Sequence, residues 1–148
     1  MSGGFLLDTS VLSLLAPGRP ALPDDVAAAL RRHSDRLFLP TIALAEIREG
    51  ICKLRRKGSA SRAGPLDAWI GALRRDYGQR VLAFDADAAE AAGEIADHAM
   101  GIGRHPGFAD VAIAGIAKAR GLTVLAENQR HFEPLGIPAF DLAGLARQ

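Results

Sequence analysis

Cysteine and aromatic residues are scarce in this sequence. The single cysteine, Cys52, excludes an intramolecular disulfide framework and is typical of a protein that folds in a reducing compartment. Aromatic residues make up 5% of the chain, so the sequence indicates no row of rings on which nucleic acid bases could stack. Because Cys52 lies within an apolar helical pattern, we expect a small core residue there and not a reactive thiol.

The chain also lacks an excess of charge and a long apolar run. Its net charge is +1, so attraction to a nucleic acid would depend on a local basic patch or on bound metal ions. No apolar run has the length of a membrane span, and no basic segment precedes the first apolar run as in a secretory signal. We therefore expect a cytoplasmic protein without a membrane partner, folded as a single domain over 1–148.

Short apolar runs alternate with helical patterns along the chain. Runs typical of short buried strands lie at 5–7, 37–39, 80–85, 122–126 and 137–140. Apolar residues at helical spacing predict helices between them, including one capped by Thr41 and one that stops at Gly121. The small and basic residues at 55–64 predict a mobile loop. This alternation indicates an α/β fold with a mostly parallel sheet.

Four polar residues stand where predicted elements begin or end. Asp8 directly follows the first strand and Asn128 follows the fourth. Glu46 lies in the first turns of the helix after the second strand, and Asp110 opens the helix after the glycine-rich loop at 101–107. In a parallel sheet these positions can converge on the edge that binds ligands. From its own stretch alone, Asp8 is better explained as a cap of the following helix than as a catalytic acid.

Three carboxylates at one edge would repel one another, and burial would penalise their charged forms further. A divalent cation removes this conflict, since Mg²⁺ and Mn²⁺ prefer oxygen ligands and commonly bind through one or two carboxylates together with phosphate oxygens. We therefore predict a metal site at Asp8, Glu46 and Asp110, where water could be activated for attack on a phosphodiester. Asn128 would hold a water molecule or a phosphate oxygen.

Five segments, in this order, resemble the motifs of a known family. They are LDTSVL at 7–12, AEIREGI at 45–51, FD at 84–85, ADVAIA at 109–114 and ENQRHF at 127–132. Each motif alone is weak, but the ordered set spans nearly the whole chain. It resembles the PIN-domain ribonucleases, specifically the VapC toxins of bacterial toxin–antitoxin pairs. The resemblance favours a catalytic role for Asp8 over a capping role.

The resemblance implies a single PIN domain over 1–148, built as a PIN-like three-layer α/β/α sandwich around a mostly parallel sheet of four to five short strands. It implies an endoribonuclease that depends on Mg²⁺, with Mn²⁺ as the alternative ion, and whose catalytic residues are Asp8, Glu46, Asp110 and Asn128. The RNA products would carry 5′-phosphate and 3′-hydroxyl ends. The resemblance further implies a homodimer that an antitoxin protein silences by covering the site.

The segment after the fourth strand departs from the family pattern. Relatives often carry Thr-Arg-Asn or Thr-Arg-Asp there, whereas this chain has Ala126, Glu127 and Asn128. Asn128 matches the family position. Side-chain alternation along a strand predicts that Glu127 faces solvent and is not an extra metal ligand.

Hydroxyl and basic side chains near the predicted site allow more than one interpretation. Ser10 either donates to a ligating carboxylate or serves as a helix-start hydroxyl, while Thr9 is interpreted as structural. Arg104 and His105 precede the third acid and could touch the RNA strand at the cut. His105 and His131 could act as general acids, although a metal-ion mechanism needs none. The basic residues that either contact RNA phosphates or form a solvated surface are Lys53, Arg55, Arg56, Lys57 and Arg62.

Two other functions stay open at this point. A catalytically degenerate PIN domain would bind RNA or a partner protein without cutting, which the altered segment at 126–128 allows. A receiver-type signalling module would bind Mg²⁺ beside a phosphorylated aspartate. That module needs a second acid next to Asp8 and a lysine after the last strand, and this sequence has neither.

Overall fold

The computed structural model describes residues 3–148, in which five strands alternate with seven α-helices. The strands are β1 (Phe5–Leu7), β2 (Leu37–Pro40), β3 (Val81–Leu82), β4 (Thr123–Leu125) and β5 (Ala139–Phe140). The helices are α1 (Thr9–Leu14), α2 (Asp24–Arg32), α3 (Thr41–Arg56), α4 (Ala60–Tyr77), α5 (Ala86–Gly101), α6 (Phe108–Arg120) and α7 (Leu142–Ala146). All five predicted strands are found. β3 and β5 are shorter than predicted because each is an edge strand that pairs along two residues.

All neighbouring strands of the sheet run parallel, in the order β3-β2-β1-β4-β5. The central strand is β1, in which Phe5 lies opposite Leu37 on one side and Thr123 on the other. The chain builds the sheet outward from β1, first through β2 and β3 and then through β4 and β5. This reversal is a topological switch point, and parallel sheets bind ligands beyond the carboxyl ends of the strands at such a point.

Side-chain alternation along β1 builds the two helical layers. Leu6 packs on one face of the sheet, in a cluster with apolar residues of α5 and α6. Phe5 and Leu7 pack on the opposite face, where α1, α2, α3 and α7 contribute to the core. Because successive side chains of a strand point to opposite faces, one short strand anchors both halves of the core. The predicted three-layer α/β/α sandwich is confirmed.

Helices α5 and α6 approach each other closely because a glycine stands at their contact. A Cβ atom on Gly115 would lie 2.5 Å from the carbonyl oxygen of Ala88. The predicted stop of α6 is correct, since Gly121 ends the helix with a φ of +66°, a conformation that other residues avoid. Because α6 carries Asp110 in its first turn, its packing on α5 positions that acid.

The prediction of a mobile loop at 55–64 is wrong. Helix α3 continues to Arg56 and α4 begins at Ala60, so only a turn at 57–59 separates them. Ala63 is buried against Ile51 and Ile70, and this contact between the two helices stabilises a segment whose composition is typical of a loop.

Two smaller predictions about α3 also need correction. Thr41 is the first residue of the helix and does not cap it, since its Oγ1 instead accepts from the Phe84 N–H at 3.3 Å. Cys52 is exposed because the buried stripe of α3 passes through Ile51. No helix in the described part of the chain is long and apolar enough to cross a membrane.

Candidate active site

Asp8 lies at the carboxyl end of the central strand. Its N–H donates to the Leu125 carbonyl oxygen at 2.8 Å, which extends the ladder to β4 by one residue. Asp8 also occupies the N-cap position of α1, where its carbonyl oxygen accepts from the Leu12 N–H at 3.0 Å, but its carboxylate makes no capping hydrogen bond. The backbone of Asp8 therefore starts the helix, while its side chain is available for another role.

Two hydroxyl groups at the start of α1 hold acidic side chains in place. Ser10 Oγ donates to Asp8 Oδ2 at 2.6 Å and accepts from the Glu127 N–H at 3.1 Å. Thr9 Oγ1 donates to Glu46 Oε1 at 2.6 Å and so links α1 to α3. Of the two interpretations of Ser10, the structure supports the bond to a carboxylate. The contact between Thr9 and Glu46 was not predicted from the sequence.

Asp110 lies in the first turn of α6, within electrostatic reach of the other two acids. Burial raises the pKa of the Asp110 carboxyl above its usual range, and the charge of Asp8 raises that pKa further. His131 lowers the same pKa, and Glu46 adds a smaller increase. The structure therefore brings Asp8, Glu46 and Asp110 into one electrostatic environment, with His131 beside them.

The three carboxylates have the chemistry of a site for a divalent cation. Asp8 is 8% exposed, yet within residues 3–148 its carboxylate accepts a single hydrogen bond, from Ser10. In the same part of the chain, no Lys or Arg forms an ion pair with any of the three acids. A buried charge without a cationic partner is costly, so these oxygen atoms fit a metal ion taken from solution.

The carboxylates do not form a closed cage. Among the described residues, no three side chains of His, Cys, Asp or Glu are grouped as ready-made metal ligands. Asp110 nevertheless lies close enough to Asp8 and Glu46 for their charges to raise its pKa. Mg²⁺ usually binds through one or two carboxylates, substrate phosphates and several waters, so it does not require three protein ligands in direct contact.

Asn128 caps a short 3₁₀-helix, Gln129–His131, which follows β4. Its Oδ1 accepts from the Arg130 N–H at 3.0 Å, so this oxygen caps the turn. The predicted catalytic role of Asn128 stays a prediction, and it would use the amide nitrogen. Glu127 is exposed, in agreement with the prediction from strand alternation, and its N–H contacts Ser10.

A cleft of about 270 Å³ opens beside Asp110. Its wall carries two arginines and two histidines, namely Arg104, His105, Arg130 and His131. The loop before α6 supplies the first pair, and the 3₁₀-helix after β4 supplies Arg130 and His131. The structure thus places Arg104 and His105 near the third acid.

A larger groove of about 600 Å³ borders Glu46. It lies between α1, α3 and α4, and Thr9, Arg62 and Trp69 are among the residues that line it. The other four basic residues of the predicted cluster are not among the residues that line this groove. Arg55, for example, donates to Asp67 at 2.8 Å. Arg62 is therefore the member of the predicted basic cluster that lines the same groove as Glu46.

Known protein families provide an independent comparison for this arrangement. A family model described as "PIN domain" matches residues 5–136, a range that contains the three acids and Asn128. The chain belongs to the PIN-domain family. The membership leaves no support for the receiver-type alternative.

This PIN domain is similar to named proteins along nearly its whole length. It is 32% identical over 144 residues to the plasmid stability protein StbB of Pseudomonas syringae pv. tomato, covering 90% of this chain and 94% of that protein. It is 26% identical over 132 residues to the tRNA(fMet)-specific endonuclease VapC of Shigella flexneri, with coverages of 89% and 92%. The crystal structure of FitAcB from Neisseria gonorrhoeae has a TM-score of 0.80 at 28% identity, covering 94% of this chain and 98% of that chain. The predicted resemblance to VapC proteins is confirmed.

One aromatic contact near the site of this PIN domain was not predicted from the sequence. Phe108, two residues before Asp110, is 70% exposed. Its ring packs edge-to-face on the ring of Phe84, with centroids 5.8 Å apart. The contact joins residues far apart in the sequence and leaves one exposed ring near Asp110. The expectation that the chain has no row of rings for base stacking stays a prediction.

Proposed function

We propose that this PIN domain is the toxin of a type II toxin–antitoxin system and acts as a Mg²⁺-dependent endoribonuclease that hydrolyses RNA phosphodiester bonds. The observation that carries the proposal is the Asp8 carboxylate, which is buried at the switch point of the sheet without a cationic partner within residues 3–148. Glu46 and Asp110 share its electrostatic environment. The similarity to a VapC endonuclease supports the same class of reaction.

Asp8, Glu46 and Asp110 would hold Mg²⁺ or Mn²⁺. When bound, such an ion supplies Lewis acidity toward phosphate oxygens and makes water more acidic. Ser10 donates to the Asp8 carboxylate and Thr9 donates to that of Glu46, so a hydrogen bond restricts the orientation of each of these two side chains. Burial raises the pKa of Asp110, and a cation nearby would favour its ionised form.

The chain's own hydroxyl groups are not arranged as nucleophiles. The Ser10 hydroxyl donates a hydrogen bond to Asp8 and the Thr9 hydroxyl donates one to Glu46, so both orient carboxylates. In the proposed reaction water is the nucleophile and attacks phosphorus in line with the bond to the 3′ oxygen. This bond breaks, the 3′ oxygen takes up a proton, and the products carry 5′-phosphate and 3′-hydroxyl ends. The Asn128 amide nitrogen would donate to a phosphate oxygen.

An antitoxin protein and a second copy of the chain complete the proposal, as the VapC resemblance implies. The groove between α1, α3 and α4 reaches from Glu46 to apolar side chains such as Leu66 and Trp69. An antitoxin segment seated there would lie next to the acids and would block access to them.

Cleavage of RNA by the purified chain and its variants tests the enzyme assignment. Asp8→Asn and Asp110→Asn should abolish Mg²⁺-stimulated cleavage, because each keeps the side-chain shape but removes a charge that binds the cation. Circular dichroism should show that both variants are folded. Asp76→Asn is the matched control, since Asp76 is exposed near the end of α4. Normal cleavage by both site variants would show that the assignment is wrong.

A catalytically degenerate PIN domain is the second candidate. The altered segment at 126–128 favours it, because Ala126 and Glu127 stand where relatives often carry threonine and arginine. Such a protein would bind RNA without cutting it. Retained RNA binding, no cleavage in Mg²⁺ or Mn²⁺, and no uptake of Mn²⁺ in calorimetry would together favour the degenerate domain over the enzyme.

A further inference from the structure

We propose that the cationic cleft, defined by Arg104, His105, Arg130 and His131, is a phosphate subsite for the RNA backbone. It would hold the phosphodiester that neighbours the scissile one, with Arg104 and Arg130 as positioning residues. This inference rests on the proposed function, because the subsite would fix how the RNA strand lies relative to Asp8 and Asp110.

The geometry of the cleft favours a small anionic group. Its volume is about 270 Å³, and Asp110 forms part of its lining. The scissile phosphate would meet the acids on one side of Asp110. Since consecutive phosphates of one strand are a single nucleotide apart, the next phosphate would then lie along the wall that carries the arginines.

Both arginines are presented from fixed backbone positions. The Arg104 N–H donates to the Ala99 carbonyl oxygen at 2.8 Å, which ties the loop to the end of α5. The Arg130 N–H donates to Asn128 Oδ1 at 3.0 Å. Cations on an ordered backbone lose less conformational freedom when they bind a ligand, so the cleft is prepared for an anion.

The two arginines of the cleft form no ion pair among the described residues. Within residues 3–148, neither the Arg104 nor the Arg130 guanidinium takes part in an ion pair or a side-chain hydrogen bond. By contrast, Arg48 and Arg55 both pair with Asp67. A guanidinium binds phosphate oxygens through two parallel N–H groups, so a pair of arginines without ion-pair partners is suited to a phosphodiester.

RNA binding in EDTA tests the subsite without any cleavage. The double variant Arg104→Gln/Arg130→Gln should bind a labelled single-stranded RNA more weakly. Its slope of log affinity against log salt should fall by about 0.7, because the protein then neutralises one phosphate fewer. Arg104→Lys/Arg130→Lys should keep the wild-type slope because it keeps both charges. Both wild-type side chains are exposed, so thermal unfolding should be unchanged.

Arg74→Gln/Arg75→Gln is the matched control. It removes the same charge from exposed positions at the end of α4, from which the chain enters the start of β3. The start of β3 lies at the amino ends of the parallel strands, whereas the acids lie at the carboxyl ends. This variant should therefore keep the wild-type salt slope.

Steady-state cleavage in Mg²⁺ gives the second readout. Loss of the subsite should raise KM by about tenfold and leave kcat nearly unchanged, because a contact to the neighbouring phosphate is the same in the ground state and the transition state. A purely structural defect would instead lower kcat and the unfolding temperature together.

The two readouts separate the subsite from the proposed function. Equal salt slopes for the glutamine variant and the wild type would overturn the subsite, even if RNA is cut normally. Normal RNA binding by that variant, with weakened binding of an acidic protein partner, would also overturn it and indicate a protein interface. A reduced slope in a protein that cuts no RNA would support the subsite while the proposed enzyme fails.

Discussion

Ser10 and Thr9 hold two of the three acids of this PIN domain in place. Ser10 bridges the Asp8 carboxylate and the Glu127 N–H, so one hydroxyl connects the ends of β1 and β4. Thr9 connects α1 to Glu46, 37 residues further along the chain. The sequence drew attention to the carboxylates because each stands where a predicted element begins or ends. It could not reveal the Thr9 contact, since this bond depends on how α3 packs beside α1.

Replacing Ser10 tests the importance of this bridge. Ser10→Ala removes the hydrogen bond that orients Asp8 and leaves the Glu127 N–H without its acceptor. We expect RNA cleavage or its Mg²⁺ affinity to fall by about 10–100-fold, as for other groups that orient metal ligands. Measuring the cleavage rate at a series of Mg²⁺ concentrations gives both the maximal rate and the apparent Mg²⁺ affinity. Ser61→Ala, at an exposed position of α4, should behave as wild type, and an equally normal Ser10→Ala would contradict the role of the bridge.

His33 makes folding stability sensitive to pH. The residue is buried, its Nδ1 lies 2.6 Å from an Arg36 nitrogen, and its Nε2 has no hydrogen-bond partner among the described residues. Burial lowers the pKa of His33 below its usual value, and the charges of Arg36 and Arg32 lower it further, while Asp35 opposes them. The unfolded chain therefore binds a proton at a higher pH than the folded chain does.

The direction of this effect gives a prediction for unfolding. Because the unfolded state binds more protons below about pH 6.5, stability should fall as the pH drops below that value and should show no contribution from His33 well above it. His33→Gln keeps an acceptor for Arg36 but does not titrate. Its free energy of unfolding, measured with urea, should therefore fall less than that of wild type between about pH 7.5 and 5.5. His98→Gln, on the surface of α5, should keep the wild-type loss. Identical pH dependence in His33→Gln and wild type would refute the assignment.

Among the helices, α6 most directly links packing to the site. It carries Asp110, and its approach to α5 requires Gly115. Its start and stop could be predicted from the sequence, because the glycine-rich loop and Gly121 are local signals. The start of α4 could not be predicted, because it depends on burial of Ala63 against Ile51 and Ile70. Local composition there indicated a loop, and tertiary packing produced a helix.

The contact at Gly115 gives a stability prediction. Gly115→Ala places a methyl group 2.5 Å from a backbone carbonyl of α5, so α5 and α6 must separate, and unfolding should become easier by about 1–3 kcal/mol. Gly93→Ala is the control, because Gly93 is an exposed position of α5 with open space around it. That change should stabilise the protein by about 0.5–1 kcal/mol, since alanine favours helices. Equal unfolding free energies for the two variants would contradict the tight contact.

For the whole molecule, strand order is what brings the acids together. Asp8 follows the central strand, β1. Glu46 lies on α3, which follows the neighbouring strand β2, and Asp110 lies on α6, which precedes the other neighbour, β4. The alternation of strands and helices was sufficient to predict a parallel sheet and the edge at which the acids lie. It was not sufficient to predict the cationic cleft, because Arg104 and Arg130 belong to separate segments that meet only in the folded chain.

The folded chain also leaves apolar side chains exposed, and this favours self-association. In the described part of the chain, Met100, Ile102 and Phe108 are exposed large apolar residues around the connection between α5 and α6. The VapC resemblance implies a homodimer, and we expect its interface to bury these side chains. Light scattering should give twice the chain mass of 15.6 kDa, and Ile102→Lys should shift the protein toward the monomer while Ala89→Lys does not. A monomeric wild type at high concentration would contradict this expectation.

The most direct test of the central claim is the metal dependence of RNA cleavage, with the product ends identified. The purified wild-type chain should cut RNA in Mg²⁺ or Mn²⁺, stop when excess EDTA is added, and leave 5′-phosphate and 3′-hydroxyl ends, because carboxylate-held metal chemistry uses water as the nucleophile. Cleavage that continues in EDTA, or that leaves 2′,3′-cyclic phosphate ends, would contradict the claim that Asp8, Glu46 and Asp110 act through a divalent cation.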